Sequence, residues 1–399
     1  MTNGSARSAG DTGESTGGAG RRFGDGLATG PDLEGAAEVA VAQALDGLGG
    51  QAPDLLAVFV APGPGQDPDQ AAAAGERAMQ LAGARAAFGG TPTGVIGGGH
   101  GREQGPAVAV WAAVLPGVEI ETFRMSARHA AGDIELTGLP TELPEGRGVV
   151  AAVVDPYTFP AAGFLRCLPA GAPVVGGLVG SPGPGAARLF LDGEAFARGG
   201  VAVRLSATDG VRTVVSQGCR PIGPPMTVTR AERNIVLELA GQPAYHRLVE
   251  IVTALKPEDQ ELVARGLHVG IAVDEYADEH GRGDFLIRGV LGVDEHGGAI
   301  AVGDVVEVGQ TLRFQVRDAG GAGEDLTELL GSRPARGALL FSCNGRGTAM
   351  FPDADHDVRI VQKALGPEGL AGFFAAGEIG PVAGQNHLHA FTASLLVFD

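Results

Sequence analysis

Lysine is almost absent: Lys256 and Lys363 are the only two, and neither follows the glycine loop that a phosphate-binding P-loop requires. Nucleotide hydrolysis of that type is therefore disfavoured. Cysteine is scarce as well. Cys167, Cys219 and Cys343 are odd in number and far apart, which argues against a disulfide framework and against structural zinc held by paired cysteines. A reducing, cytoplasmic setting is the simplest expectation. No stretch supplies the roughly twenty apolar residues of a membrane-spanning helix, and the N-terminus has no hydrophobic signal core, so neither insertion nor export is expected. Positive charge is deficient overall, with 29 basic against 47 acidic residues and a net charge of −18. Such a chain repels phosphate backbones and anionic membranes, and nucleic acid is not an expected partner. No motif implies a cofactor.

What is present is a chain of 399 residues, 44% of them hydrophobic, enough for about two or three domains with real cores. Residues 1–30 are rich in Gly, Ser and Thr and poor in large apolar side chains, so a disordered leader is expected there. Ala, Val and Leu then recur at helical spacing from Leu33 to Leu48, and Gly49–Gly50 stops that helix.

The chain next repeats itself. A continuous apolar strand (Leu55–Gly63) leads to a helix over Ala71–Phe88, the glycine phrase GVIGGGHG (Gly94–Gly101), and strands at Ala107–Leu115 and Val118–Met125. The order recurs as a strand (Gly148–Pro156), a short helix (Ala161–Leu168), the glycine phrase VVGGLVGS (Val174–Ser181), and strands at Ala187–Gly193 and Gly200–Ser206. A third copy runs through Gly337–Gly347, a helix over Asp357–Leu365, Gly369–Gly380 and Leu388–Phe398. Between copies two and three, Leu267–Glu275, Asp284–Asp304 and Thr311–Gly320 alternate branched and polar residues, with a hairpin at Gly297–Gly298 and a helix at Glu324–Leu330. The fold class predicted is α/β (α+β): internally repeated β-α-β-β units in mixed β-sheets packed face to face with flanking helices.

The run SQGCRPIGPPMTVTRAERNIVLELAGQPA (Ser216–Ala244), the pair GDFLIRGVLGVD and GQTLRFQVRDA, and the closing phrases LLFSCNGRG and AGFFAAGEIGP together resemble the FIST family. The resemblance covers the chain from about Leu55 onward. It implies a FIST N-type domain over residues 31–228 and a FIST C-type domain over 229–399, behind the leader. It also implies a sensory protein in bacterial signal transduction that binds a small molecule, with amino acids the usual class. It brings no catalytic residues. No output module is recognisable, so a stand-alone sensor acting on an unidentified signalling partner is expected.

Candidate ligand-binding residues follow from the glycine phrases. Glycine within a strand brings a backbone or a ligand close, so Gly98, Gly99 and Gly177 are candidates, with His100 and Ser181 as the polar groups that follow. The second constellation is FSCNGRG with GEIGP. Cys343 and Asn344 stand where a buried strand ends, a place where α/β folds commonly site ligands. Arg346 suits a ligand carboxylate and Glu378 a ligand ammonium, an arrangement for a zwitterion; the alternative is that these two pair with each other. An enzymatic reading takes Cys343 as nucleophile with His387 or His389 as base. The acidic run Asp353–Asp357 reads as a solvated loop in preference to a metal site, because no calcium-loop spacing surrounds it. A protein-docking module is a third reading, and the proline-rich Arg220–Val228 reads as an interdomain strap.

Overall fold

A parallel strand pair joined by a helical crossover, with two antiparallel strands added beside its first strand, occurs three times. The computed structural model describes residues 20–130, 133–139, 148–168, 172–277, 280–281 and 283–399. Unit one contains β1 (Arg22–Thr29), α1 (Leu33–Asp46), β2 (Leu55–Ala61), α2 (Pro68–Ala82), β3 (Ala86–Gly90), β4 (Gly94–Gly97), β5 (His100–Arg102) and β6 (Ala107–Val114). β2 and β3 are parallel, and β6 lies antiparallel between β2 and β1. Unit two contains β7 (Glu119–Ala130), β8 (Asp133–Thr137), β9 (Gly148–Val154), α3 (Ala161–Cys167), β10 (Val174–Val179), β11 (Leu189–Leu191), β12 (Glu194–Phe196) and β13 (Gly200–Ser206). Its order, β7-β13-β9-β10, reproduces β1-β6-β2-β3, again with one parallel pair.

Unit three opens with β14 (Val211–Gln217) and is then interrupted. The insertion comprises β15 (Cys219–Pro221), β16 (Met226–Glu232), β17 (Ile235–Leu239), β18 (Gln242–Pro243), α4 (Ala244–Ala254), α5 (Pro257–Arg265), β19 (Leu267–Ala272), β20 (Phe285–Asp294), β21 (Ala299–Val302) and β22 (Thr311–Arg317). Six of these strands close a ring, β22-β16-β17-β21-β20-β19 and back to β22, with an apolar interior that includes Val228, Val269 and Phe314. The unit resumes with α6 (Ala319–Leu330), β23 (Gly337–Cys343), α7 (Gly347–Met350), α8 (His356–Leu365), β24 (Gly369–Val382), β25 (Gln385–His389) and β26 (Thr392–Phe398). Its order, β14-β26-β23-β24, is the same once more.

Unit one forms a six-stranded sheet with β11 and β12, while units two and three join through β10 and β24 into a twelve-stranded sheet that also takes in β4, β5 and β25. The two sheets stack. Leu55, Phe59 and Trp111 of one meet Val153, Val203, Phe341 and Phe373 of the other, all fully buried. Helices α1 and α2 cover the outer face of the first sheet; α3, α6 and α8 cover that of the second. Covering both faces explains why β2 reads as an unbroken apolar run, with all seven residues buried. The expected face-to-face mixed sheets with outer helices are the architecture observed.

Several local expectations are corrected. The second helix begins as its cap dictates, with Asp67 accepting from the Asp69 amide ahead of Pro68, but it stops at Gly83 in the left-handed conformation and does not reach Phe88. β3 therefore starts at Ala86, and the counterpart of Val174–Ser181 is AAFGGT at Ala86–Thr91, not the Gly94–Gly101 phrase. The equivalent glycines are Gly89, Gly176 and Gly372. A Cβ on them would lie 1.8, 1.9 and 1.8 Å from the carbonyl oxygens of Val58, Ala152 and Leu340 on the parallel neighbour. Residues 22–29 of the expected leader are strand β1. Its glycines look like linker but admit α1, since a Cβ on Gly24 or Gly26 would stand 2.1 Å from the carbonyl oxygen of Ala44 or Ala40. Residues 1–19 lie outside the described residues. The expected strap is instead β15 and the opening of β16, both within the inserted sheet, and the division expected at 228/229 falls inside β16.

The glycine requirement is testable by chemical denaturation. Gly176→Ala or Gly372→Ala is expected to cost on the order of 2–4 kcal/mol by forcing the parallel pair apart. Gly183→Ala, with nothing within 4 Å of the added carbon, should change stability by less than about 0.5 kcal/mol.

Candidate functional site

Three strands of the parallel pairs, β2 and β3 of unit one and β10 of unit two, point their carboxyl ends at one cleft of about 480 Å³. Pro62 and Gly63 follow β2, Thr91 to Thr93 follow β3, and Gly180 to Pro182 follow β10. The crevice beyond the carboxyl ends of strands is where open α/β sheets bind ligands. A fourth wall, Glu103 to Gly105, comes from the segment after β5. Through Glu103 the third unit reaches the same place, because its carboxylate accepts the Thr348 amide at 2.8 Å and the Thr348 hydroxyl, in the turn that follows β23. The loops are braced from behind. The Thr91 hydroxyl accepts the Arg188 amide at 2.7 Å, and Gln66 holds the Gly63 amide at 2.7 Å while donating to the Pro31 carbonyl.

Of the residues singled out from the sequence, Ser181 lines this cleft, its hydroxyl donating to the Gly183 carbonyl at 3.2 Å. The others lie elsewhere. Gly98 and Gly99 form the two-residue turn of the β4–β5 hairpin with φ of 55° and 80°, a conformation that favours glycine at both positions. The Gly98 amide is bound by Asp25, and His100 contacts Asp355 at 3.1 Å beside a separate hollow of about 430 Å³. Gly177 sits opposite Glu378 in the β10–β24 pairing, where a Cβ would meet that of Ala375 at 2.9 Å.

Cys343, Arg346 and Glu378 do come together, under cover. Arg346 is wholly buried and its fork grips Asp357, Nε to Oδ2 at 2.7 Å and Nη2 to Oδ1 at 2.9 Å. Ser342 and His356 hydrogen-bond the same carboxylate, and the adjacent cation holds it well below the usual range despite burial. The fork expected to receive a ligand carboxylate is thus occupied by the chain itself, and by Asp357 in place of Glu378. Glu378 is also fully buried, with one oxygen accepting the Thr392 amide and hydroxyl and the Cys343 thiol close by, while Nη1 of Arg346 has no hydrogen-bond partner among the described residues. Burial pushes its carboxyl up to about 8. Neither the cleft nor the hollow beside His100 is lined by Arg346 or Glu378. Only Asn344 of this group is exposed.

The surroundings of Cys343 and His389 do not favour a thiolate and its base. Burial, and then the neighbouring Glu378, push the Cys343 thiol far up. His389 donates from Nε2 to the Gly380 carbonyl at 3.0 Å, and burial holds it neutral with a pKa lowered to about 4. The acidic run is not uniformly solvated either. Asp353 pairs with Arg359, Asp355 binds His100 and the Gly101 amide, and Asp357 is buried on Arg346.

Glu103, Thr91 and Thr93 were not singled out from the sequence, and Asp357 was read only as part of a solvated acidic run. A signal for the cleft was nonetheless there: Gly90-Thr91-Pro92 and Gly180-Ser181-Pro182 are the same hydroxyl-proline step, placed after the second strand of the parallel pair in two units.

Two measurements probe the buried group. A carboxyl whose folded pKa lies above its unfolded value contributes stability that is full below the unfolded pKa and lost as pH rises through the folded one. The stability of the native chain relative to Glu378→Gln should therefore fall from about pH 5 to about pH 8, by a few kcal/mol at most, and then level off. A difference independent of pH would show that Glu378 is ionised in the folded chain. Under native conditions a thiol reagent should modify exposed Cys167 and spare Cys219 and Cys343; rapid labelling of Cys343 would restore the nucleophile reading.

Residues 54–242 match the FIST N domain and residues 243–381 the FIST C domain. Uncharacterized protein Rv0628c of Mycobacterium tuberculosis is 45% identical over 392 residues, covering 94% of this chain and 99% of its own. Uncharacterized protein Mb0898c of Mycobacterium bovis is 44% identical over 388 residues, covering 94% and 98%. FIST domains are associated with sensory and signal-transduction roles. With two FIST domains in series, joined through shared sheets, this chain belongs to the FIST family.

Proposed function

We propose that the chain is a sensory protein that binds a small ligand in the cleft at the carboxyl ends of β2, β3 and β10. One observation carries this reading: strand ends from two units line a single hollow, and the third unit is tied to its wall by the Glu103–Thr348 bonds. A ligand there touches elements from across the fold, which is what a sensor needs if occupancy is to be felt elsewhere. The volume and the mixture of apolar walls with a few hydroxyl groups suit a small organic molecule. The family resemblance puts amino acids first among the compounds to try. The role is binding without a catalytic cycle, supported by the buried, proton-retaining Cys343. Occupancy is read by a signalling partner, and three unpaired cysteines accord with a reducing cytoplasm.

The test is a thermal-shift screen of amino acids and simple amines against the native chain and Thr93→Trp. Thr93 is an exposed residue of the cleft wall, so the indole fills the hollow with little demand on the fold. A true ligand at one hundred times its dissociation constant adds about 2.7 kcal/mol of stability. It should stabilise the native chain and leave Thr93→Trp unmoved. Equal stabilisation of both would place the site elsewhere.

A further inference from the structure

The charge around the cleft is one-sided. Among the described residues, Glu103 is the only charged one on its wall, and no lysine, arginine or histidine lines it. An arginine or lysine is the usual partner of a ligand carboxylate, and the other common partner, a helix N-terminus, is already committed here. The start of α2 at Pro68 faces the cleft, but Asp67 takes the Asp69 amide at 2.9 Å, and Asp69 in that first turn engages Arg188 at 2.8 Å, so the nearby guanidinium is committed as well. The turn after β23 is likewise held by Glu103 itself. A ligand carboxylate would meet amides and a guanidinium already engaged by carboxylates on these sides, within a protein of net charge −18.

An ammonium finds the opposite situation. Each oxygen of Glu103 accepts one hydrogen bond from Thr348, leaving further lone pairs for a ligand donor, and no cation pairs with it among the described residues. Five proline rings supply rigid apolar walls, and the exposed Thr93 hydroxyl stands beside them. We infer that the cleft selects a small organic amine with an apolar body and no free carboxylate, held through its ammonium by Glu103. This inference rests on the cleft being the ligand site and narrows its ligand to a class other than the zwitterions expected from the sequence.

Isothermal titration of the full chain with matched probes tests it: phenethylamine against phenylalanine, 3-methylbutylamine against leucine, and 3-phenylpropionate as the carboxylate control. The amines are expected to bind, with the amino acids and the carboxylate weaker by about tenfold or more, since a buried ionic group without a partner is penalised. Glu103→Gln should lower amine affinity by about tenfold or more, whereas Thr348→Ala, which removes one of the two bonds that orient Glu103 and keeps the carboxylate and its amide partner, should lower it clearly less. Equal loss in both variants would assign Glu103 a bracing role only. Amino acids binding as well as the amines, unchanged amine binding in Glu103→Gln, or no binding by either amine would each overturn the inference. Thr93→Trp separates the two levels: if it abolishes binding of whichever probe binds, the cleft stands even where amine selection fails, and if it does not, the cleft itself is refuted.

Discussion

The closest approach between the two parallel strands of each unit is the constraint on which the rest depends. Where Gly89, Gly176 and Gly372 face the carbonyl oxygens of Val58, Ala152 and Leu340, there is no room for a side chain. That approach keeps each pair tight while both faces are covered, one by the opposite sheet and one by helices. With water excluded from both faces, the positions on these strands are apolar or small, the buried Glu378 of β24 being the exception. Function is then left to the strand ends, where the chain must turn and where backbone groups reach solvent. The cleft is a consequence of aligning two such pairs, and its lining of Gly, Pro, Ser and Thr is the turn chemistry of those ends.

Charge is distributed on the same logic. The interior tolerates Arg346 because Asp357, Ser342 and His356 surround the pair with hydrogen bonds, and Asp357 in the first turn of α8 also suits the positive end of that helix. The pair fastens the turn after β23 to α8, and that turn carries Thr348, which Glu103 grips from the first unit. The sheet inserted between β14 and β23 is anchored where it leaves: Ser216 and the Gln217 amide bind Asp325, and Arg220 spans Asp259 and Asp318 at 2.6 and 2.8 Å. An insertion held at its roots leaves unit three as one folding element despite the long gap in sequence.

Much of the fold was legible. Strands such as Leu55–Ala61, Gly148–Val154 and Gly337–Cys343 announce themselves as apolar runs, and the repeats could be counted. The misreadings share a cause. Glycine in β1, β3 and the β4–β5 hairpin serves close packing in two cases and a tight turn in the third, and a sequence prints the same letter for all. The candidate site was less legible, because Ser181 alone among the chosen residues reaches the cleft. Arg346 and Glu378 were rightly singled out as polar residues among apolar ones, but burial assigns them to the interior and gives the arginine a partner from eleven residues away.

Most of the elements, their threefold recurrence, the acidic balance and the membership of the family could be read from the order of residues, because these depend on local periodicity and composition. Tertiary structure alone decided that units two and three share a sheet, that the inserted strands close a ring, and that strand ends far apart in the chain border one cleft. Those outcomes depend on which edges pair and which carboxylate reaches which cation, and such long-range choices leave no periodic trace in the order of residues.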